Sequence, residues 1–297
     1  MREVLQFGAS GQVGSALLRA APAHGLAVNA LDRGRVNLAN PETAAAAVQA
    51  APKLDVVIIA AAYTAVDRAQ SEPDLAEAVN HYAVAAIGAA AAARGVPVIH
   101  ISTDYVFDGH GGAPYRETAQ TNPLNVYGAT KLRGEQALLA ACPSAVILRT
   151  SWVYAPGFAN FVSTMQRLGR ERTELRVVSD QIGCPTHAHD LADTIAVIAQ
   201  KASTEDGPHG VFHYSGDGEC SWADFARAIF ALDPTATQRP NVISIPSSEY
   251  ATPAERPRDT RMDCGLFDRT FGLKRPFWKD RLAETLAQIN HAATPQH

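Results

Sequence analysis

Phe7-Gly8-Ala9-Ser10-Gly11-Gln12-Val13-Gly14 is the stretch that decides the fold of this chain. The apolar residues 4–7 read as a strand and residues 13–21 as a helix, so glycines at G-x-x-G-x-x-G spacing fill a strand-to-helix turn. Glycine permits a tight turn and a close backbone approach to a diphosphate, and the helix N-terminus behind it offers free N–H groups and a partial positive charge. Glycines in a turn serve structure alone in many proteins, but a turn that opens a βαβ unit is the setting a dinucleotide needs. Gly8, Gly11, Gln12, Val13 and Gly14 are therefore candidate cofactor contacts.

Outward from this turn, short β-branched runs at 27–31, 55–60, 96–102 and 145–150 alternate with helix-compatible stretches at 42–51, 75–94 and 126–141. That alternation predicts an α/β fold with a doubly wound, parallel, Rossmann-type sheet. Beyond Ser151 the pattern loosens, with helices expected at 161–170, 191–201, 222–232 and 280–291. We expect an NAD(P)-binding Rossmann-type domain over 1–150, to which later segments return, and a smaller C-terminal α/β substrate domain formed mainly by 151–297. The Gly-, Pro- and Asn-rich segment 110–123 reads as an active-site loop, and 183–186 and 247–258 as substrate-facing loops. Asp32 ends the second predicted strand, about 20 residues past the glycines, where an acidic side chain accepts hydrogen bonds from the adenosine ribose. Arg33 follows it and either pairs with a 2′-phosphate or is a solvated surface charge, so both NADPH and NADH stand as candidate cofactors.

The remaining composition narrows the function. With 297 residues, a formal net charge of -4 and no Lys/Arg block, the chain carries no electrostatic footprint for nucleic acid or an anionic membrane. Its apolar runs are too short to span a bilayer. Cys142, Cys184, Cys220 and Cys264 show no C-x-x-C spacing and read as reduced thiols of a cytoplasmic protein. His187 and His189 lack a third ligand within sequence reach, and no metal site is predicted.

Tyr127-Gly128-Ala129-Thr130-Lys131 begins a predicted helix, and the i to i+4 interval puts the phenol and the ammonium on one face. With five lysines and eight tyrosines in the chain, roughly 0.1 such spacings are expected by chance. Thr103 follows the fourth strand, at the carboxyl edge where open α/β sheets bind ligands. Reduction of a carbonyl needs a proton on oxygen, and a phenol with a pKa of about 10 becomes a useful acid-base group when a nearby Lys⁺ lowers it. Thr103 can hydrogen-bond the carbonyl oxygen. The bland alternative for Tyr127 and Lys131 is a buried Tyr beside a snorkelling Lys.

These residues resemble the extended short-chain dehydrogenase/reductase superfamily. Several strings resemble the dTDP-4-dehydrorhamnose reductases within it: Phe7 to Gly14, Ala61-Ala62-Tyr63-Thr64-Ala65-Val66-Asp67, Ser102-Thr103-Asp104-Tyr105-Val106-Phe107-Asp108-Gly109, Tyr127 to Glu135, Arg149 to Tyr154 and Asp180 to Thr186, with Arg256-Pro257 beyond them. The resemblance implies NAD(P)H-dependent reduction of the C4 keto group of dTDP-4-dehydro-L-rhamnose to dTDP-L-rhamnose, for surface polysaccharide. It implies Tyr127 as proton donor, Lys131 as ribose ligand and tuner of Tyr127, and Thr103 and Asp104 as sugar contacts. By the same resemblance Trp152 packs on the sugar ring, and Gly11, Gln12, Val13, Asp32, Asn37, Leu38, Ala62, Tyr63, Thr64 and Ile101 line the cofactor, with Ala61 beside them; on composition alone Trp152 reads as a core aromatic. Arg256 is a candidate partner of the nucleotide diphosphate or a solvated charge. Ala16 and His189 stand where some relatives hold Mg²⁺ with glutamates across a dimer, so the metal is not expected, while a homodimer stays open. Ala60 replaces an Asn frequent in relatives, and Asn37 an acidic residue near the adenine. Reduction or epimerisation of another nucleotide-deoxysugar uses the same residues, and a noncatalytic NAD(P)-binding regulatory subunit is the reading from a different class.

Overall fold

In a computed structural model, which describes residues 1–204, 206–236 and 239–293, the first half runs β1 (Arg2–Phe7), α1 (Gln12–Ala20), β2 (Leu26–Leu31), α2 (Pro41–Ala50), β3 (Val56–Ile59), two short helices α3 (Val66–Ala69) and α4 (Pro73–Glu77), a π-helical turn Ala78–Tyr82, α5 (Ala83–Ala92), β4 (Val98–Thr103), α6 (Val126–Ala141) and β5 (Val146–Thr150). The second half runs β6 (Val153–Tyr154), α7 (Phe161–Glu171), β7 (Glu174–Val178), β8 (Ile182–Gly183), β9 (Thr186–His187), α8 (Ala188–Ala202), β10 (Gly210–His213), β11 (Cys220–Ser221), α9 (Trp222–Leu232), β12 (Asn241–Ile245), α10 (Gly265–Phe271) and α11 (Trp278–Ala293). The main sheet has the order β10-β5-β4-β3-β1-β2, and every adjacent pair in it is parallel. The order reverses between β1 and β3, so the crevice of this open sheet lies at their carboxyl ends.

Strands buried on both faces are read as near-continuous apolar runs, and β3, Val-Val-Ile-Ile, is buried throughout. One face packs α1, α8 and α10 around Leu17, Ile195 and Phe267, and the other packs α2, α5 and α6 around Val48, Ile87 and Leu138. Segments beyond Thr150 thus divide. Helices α8 and α10 and strand β10 join the main sheet, whereas α7, α9 and α11 enclose an aromatic cluster of Tyr154, Phe225, Phe230 and Trp278 beside the parallel pair β7–β12.

The helix expected over 75–94 is present as one continuous helical run from Pro73 to Ala92, in which the π turn interrupts the α-helical hydrogen bonding between α4 and α5 and carries the buried Asn80; such bulges re-aim a side chain at a local cost in helix geometry. Asn80 is 1% exposed, and its side chain accepts from Tyr63 N at 2.8 Å while donating to Tyr63 O and Thr130 Oγ1.

Candidate active site

The glycine turn is shaped by contacts that leave no room for a side chain. Gly8 has φ +96° and a Cβ there would lie 2.6 Å from Ala61 N, across the switch point between β1 and β3. A Cβ on Gly14 would lie 1.7 Å from the Gly8 carbonyl oxygen, so this glycine lets α1 pack on its own turn and does not face the cavity. The buried Gln6 amide donates to both Gly8 O and Gly14 O and pins the turn from beneath. Helix α1 starts at Gly11 with no side-chain cap, which leaves its first N–H groups for a ligand. This cradle, closed to side chains at Gly8 and Gly14 and open to the cavity at Gly11, fits the diphosphate of a dinucleotide.

A cavity of about 790 Å³ opens over that turn. Its lining brings together Gly8, Gly11, Gln12, Val13, Asp32, Arg33, Asn37, Leu38, Ala61, Ala62, Tyr63, Thr64, Ile101, Thr103, Asp104, Tyr127, Lys131 and Trp152. Sequence reasoning passed over Ser10, Ser102, Thr150, Ser151, Val153 and Phe158, which line it as well. Most of these flank predicted residues, and the edge of β5 beside β4 was the available signal. Asn80, buried beneath Tyr63, carried no signal in the sequence beyond its place in a helix.

At the catalytic end, α6 is started by Asn125, whose side chain accepts from Gly128 N at 2.8 Å. A Cβ at position 128 would lie 2.1 Å from Tyr105 O, so Gly128 allows the first turn of α6 to reach the loop after β4. Thr103 Oγ1 donates to Asp104 Oδ1 at 3.1 Å and accepts from Tyr105 N. The phenol of Tyr127 is pushed up to about 12, first by burial and then by the negative charge of Asp104, with the Thr103 hydroxyl opposing. This differs from the expectation that Lys131 holds the phenol low. Lys131 is 1% exposed, and its Nζ donates to Ile101 O at 2.6 Å and lies 3.0 Å from His100 Nε2; burial brings its own pKa down to about 7 against the pull of Glu135. Lys131 is not among the influences that set the phenol, which are burial, Thr103 and Asp104. Behind it, Glu135 takes a two-pronged ion pair from Arg149, with Nη2–Oε2 at 2.6 Å, and a hydrogen bond from Ser102 Oγ.

Asp104 is 2% exposed and its carboxyl is raised to about 7 by burial, with Thr260 and Thr103 opposing. Its Oδ2 is itself buried and has no hydrogen-bond partner among the described residues, while the residue lies on the cavity lining. Trp152 holds φ 45°, a left-handed conformation that is costly for a bulky residue. Its ring stacks on Trp222 with centroids 3.5 Å apart and closes on Gly183, where a Cβ would come within 2.6 Å of the indole.

Arg256 is placed apart from the cavity. It grips Asp67 with Nη1–Oδ1 at 3.1 Å and Nη2–Oδ2 at 2.8 Å, and the neighbouring Glu255 carbonyl accepts from Asn125 Nδ2. The loop 247–258 therefore ties α3 to the start of α6. His189 meets Arg19 at 2.8 Å, Ala16 is buried between α1 and α8, and no group of three or more His, Cys, Asp or Glu among the described residues could hold a metal ion. No helix among those residues is long and apolar enough to cross a membrane.

A doubly wound parallel sheet with this glycine turn at its switch point and Thr103, Tyr127 and Lys131 at its carboxyl edge defines an NAD(P)H-dependent oxidoreductase of the extended short-chain dehydrogenase/reductase type. The comparisons with known proteins go further. The family described as "RmlD substrate binding domain" matches residues 1–291. A dTDP-4-dehydrorhamnose reductase from Sinorhizobium fredii is 46% identical over 277 residues, 92% of this chain and 93% of the relative. Among solved structures, a dTDP-4-dehydrorhamnose reductase from Clostridium acetobutylicum superposes with a TM-score of 0.90 at 34% identity, covering 97% of this chain and 99% of that one. The Bacillus anthracis dTDP-4-dehydrorhamnose reductase, solved in complex with NADP, gives 0.89 at 33% identity, covering 97% of this chain and all (100%) of that one. The chain belongs to the dTDP-4-dehydrorhamnose reductase family.

Proposed function

We propose that this protein reduces the C4 keto group of dTDP-4-dehydro-L-rhamnose to dTDP-L-rhamnose with NADPH or NADH. The observation that supports this most is the convergence of the Gly8 turn, Thr103, Tyr127 and Lys131 on one cavity of about 790 Å³. NAD(P)H supplies the hydride to C4. The fold part made by 1–150 holds the dinucleotide, with Gly11, Gln12 and Val13 at the diphosphate, Asp32 at the adenosine ribose and Arg33 beside the 2′ position. Thr103 orients the keto oxygen, and Tyr127 gives that oxygen its proton. The raised phenol pKa keeps the donor protonated until charge develops on the substrate oxygen. Lys131 binds the nicotinamide ribose and supplies the positive charge that the departing proton leaves uncompensated. Asp104, on the cavity lining next to Thr103, contacts the sugar, and the indole of Trp152, held from behind by Trp222, covers the ring of the hexose. The part from 151 onward thus carries mainly the sugar nucleotide. Four buried free thiols suit a reducing compartment, and the cytoplasm is the proposed location.

The test follows absorbance at 340 nm while the protein meets dTDP-4-dehydro-L-rhamnose with NADPH or NADH. Oxidation that depends on the sugar nucleotide is expected. Protein that binds a cofactor yet oxidises neither in the presence of this sugar would overturn the assignment in favour of another keto sugar or a regulatory role.

A further inference from the structure

One titratable side chain beneath the cavity plays no part in the reaction just described. His100 sits in the middle of β4, between Ile59 of β3 and Ile147 of β5, with no solvent exposure (0%). An imidazole in the centre of a parallel strand costs desolvation that an aliphatic residue would avoid. Its Nε2 lies 3.0 Å from Lys131 Nζ, while its Nδ1 has no hydrogen-bond partner among the described residues. We propose that His100 is a positioning residue for Lys131: with the Ile101 carbonyl it occupies two of the three ammonium N–H donors, so that one is left for the cavity. The proposal rests on the reductase reading, in which Lys131 serves the cofactor ribose.

The charges around the pair are consistent with an imidazole that accepts rather than carries the proton. Burial, and then the Lys131 charge, hold His100 well below its ordinary pKa, so near neutral pH the ring is uncharged and presents a lone pair. Lys131, also buried, titrates at about 7, which makes its charged form dependent on its acceptors. On α6 itself, Glu135 attracts that charge but is committed to Arg149 of β5, and Tyr127 lies one turn earlier. After β4, Asp104 faces Tyr127. Glu77 of α4 and His81 of the π turn are engaged with each other, Glu77 also with Arg133, and Asp67 of α3 with Arg256; α5 brings no charged side chain. Ile101 O and, in the tautomer protonated at Nδ1, His100 Nε2 are therefore the direct acceptors of the Lys131 ammonium.

The test reads Lys131 directly in the cofactor-free protein. With only five lysines in the chain, ¹³Cε-lysine NMR resolves each titration, and Lys131→Met assigns the signal. In His100→Leu the Lys131 midpoint is expected to fall, because the charged form loses an acceptor, and the Kd for NADPH measured by fluorescence should rise roughly tenfold. In His100→Gln, whose amide oxygen can still accept from Nζ, both should return toward wild type. His100→Asn, one methylene shorter, should behave like the leucine variant, so the Gln/Asn contrast carries the test if the leucine variant does not fold. In turnover, the alkaline limb of the rate should move to lower pH in the variants that lose the acceptor. An unmoved Lys131 midpoint in folded His100→Leu or His100→Asn, or a glutamine variant no better than these, overturns the proposal. Neither the titration nor NADPH binding requires a keto sugar, so failure of the substrate assignment would be seen separately, as cofactor binding without turnover.

Discussion

At the scale of single residues, the cavity brings together the phenol of Tyr127, the proposed proton donor, and the buried carboxyl of Asp104. Tyr127→Phe removes only the donated proton, so NADPH affinity should stay within about twofold while kcat falls roughly 10²–10⁴-fold; a stopped-flow trace with the wild-type rate would remove Tyr127 from the reaction. Asp104 makes the opposite trade. Its carboxyl is raised from 3.8 to about 7, so between these values the folded state binds a proton that the unfolded state has lost. The stability this contributes is complete below about pH 4 and disappears as pH rises through about 7. Asp104→Asn keeps the shape without the charge and should stabilise the cofactor-free protein at pH 8 by about 1–3 kcal/mol, with a smaller gain at pH 5. It should also raise KM for the sugar nucleotide. Urea titrations at the two pH values check the first part, and a gain independent of pH would contradict the burial of an ionised carboxyl.

At the scale of elements, α6 does most to assemble the site, and it does so through what its glycines omit. Gly128 meets Tyr105 O, and Gly134 meets Asn80 O, where a Cβ would lie 2.0 Å away. Gly134→Ala should therefore push α6 from the π turn, loosening both the Tyr63 loop and Lys131 at once; we expect a loss of about 2–3 kcal/mol and weaker NADPH binding, read by thermal unfolding with and without cofactor. A variant of unchanged stability would mean that the two elements separate freely. The glycine turn, the five leading strands and the Tyr-x-x-x-Lys face were legible in the sequence because each is a local pattern with a fixed period. Three things were not. The π turn at Asn80 is invisible because the apolar spacing of 75–94 is helical on both sides of it, and the partner that Asn80 meets, Tyr63, lies in the loop after β3. Arg256 reads as a diphosphate ligand from its charge alone, whereas Asp67, far away in sequence, takes its guanidinium. The direction of the Tyr127 shift depended on burial and on the neighbouring Thr103 and Asp104, none of which an i to i+4 spacing reports.

At the scale of the whole molecule, the cofactor cradle and the segment that presents Trp152 are joined through one side chain. Gln12, at the start of α1, donates from Nε2 to Val153 O at 3.3 Å, and its Oε1 accepts from Asn160 Nδ2 at 3.0 Å. Asn160 in turn caps α7, in the aromatic cluster that backs Trp152. On the proposed cofactor site, a dinucleotide at the α1 N-terminus would meet Gln12, the residue that contacts Val153 and Asn160, and ordering that segment should prepare the sugar site. Such coupling is reciprocal: the factor by which NADP⁺ tightens dTDP-L-rhamnose must equal the factor by which dTDP-L-rhamnose tightens NADP⁺. We expect a factor of roughly 5 or more in wild type. In Gln12→Ala it should fall toward 1, because the cradle keeps its backbone N–H groups while the tie to Val153 and Asn160 is lost. Calorimetric titration of each ligand in the absence and presence of the other measures both sides of the cycle. A Gln12→Ala protein that keeps the wild-type factor would show that the two halves of the cavity communicate by another route, with the direct ligand contacts and the shared edge of β5 as the remaining connections between them.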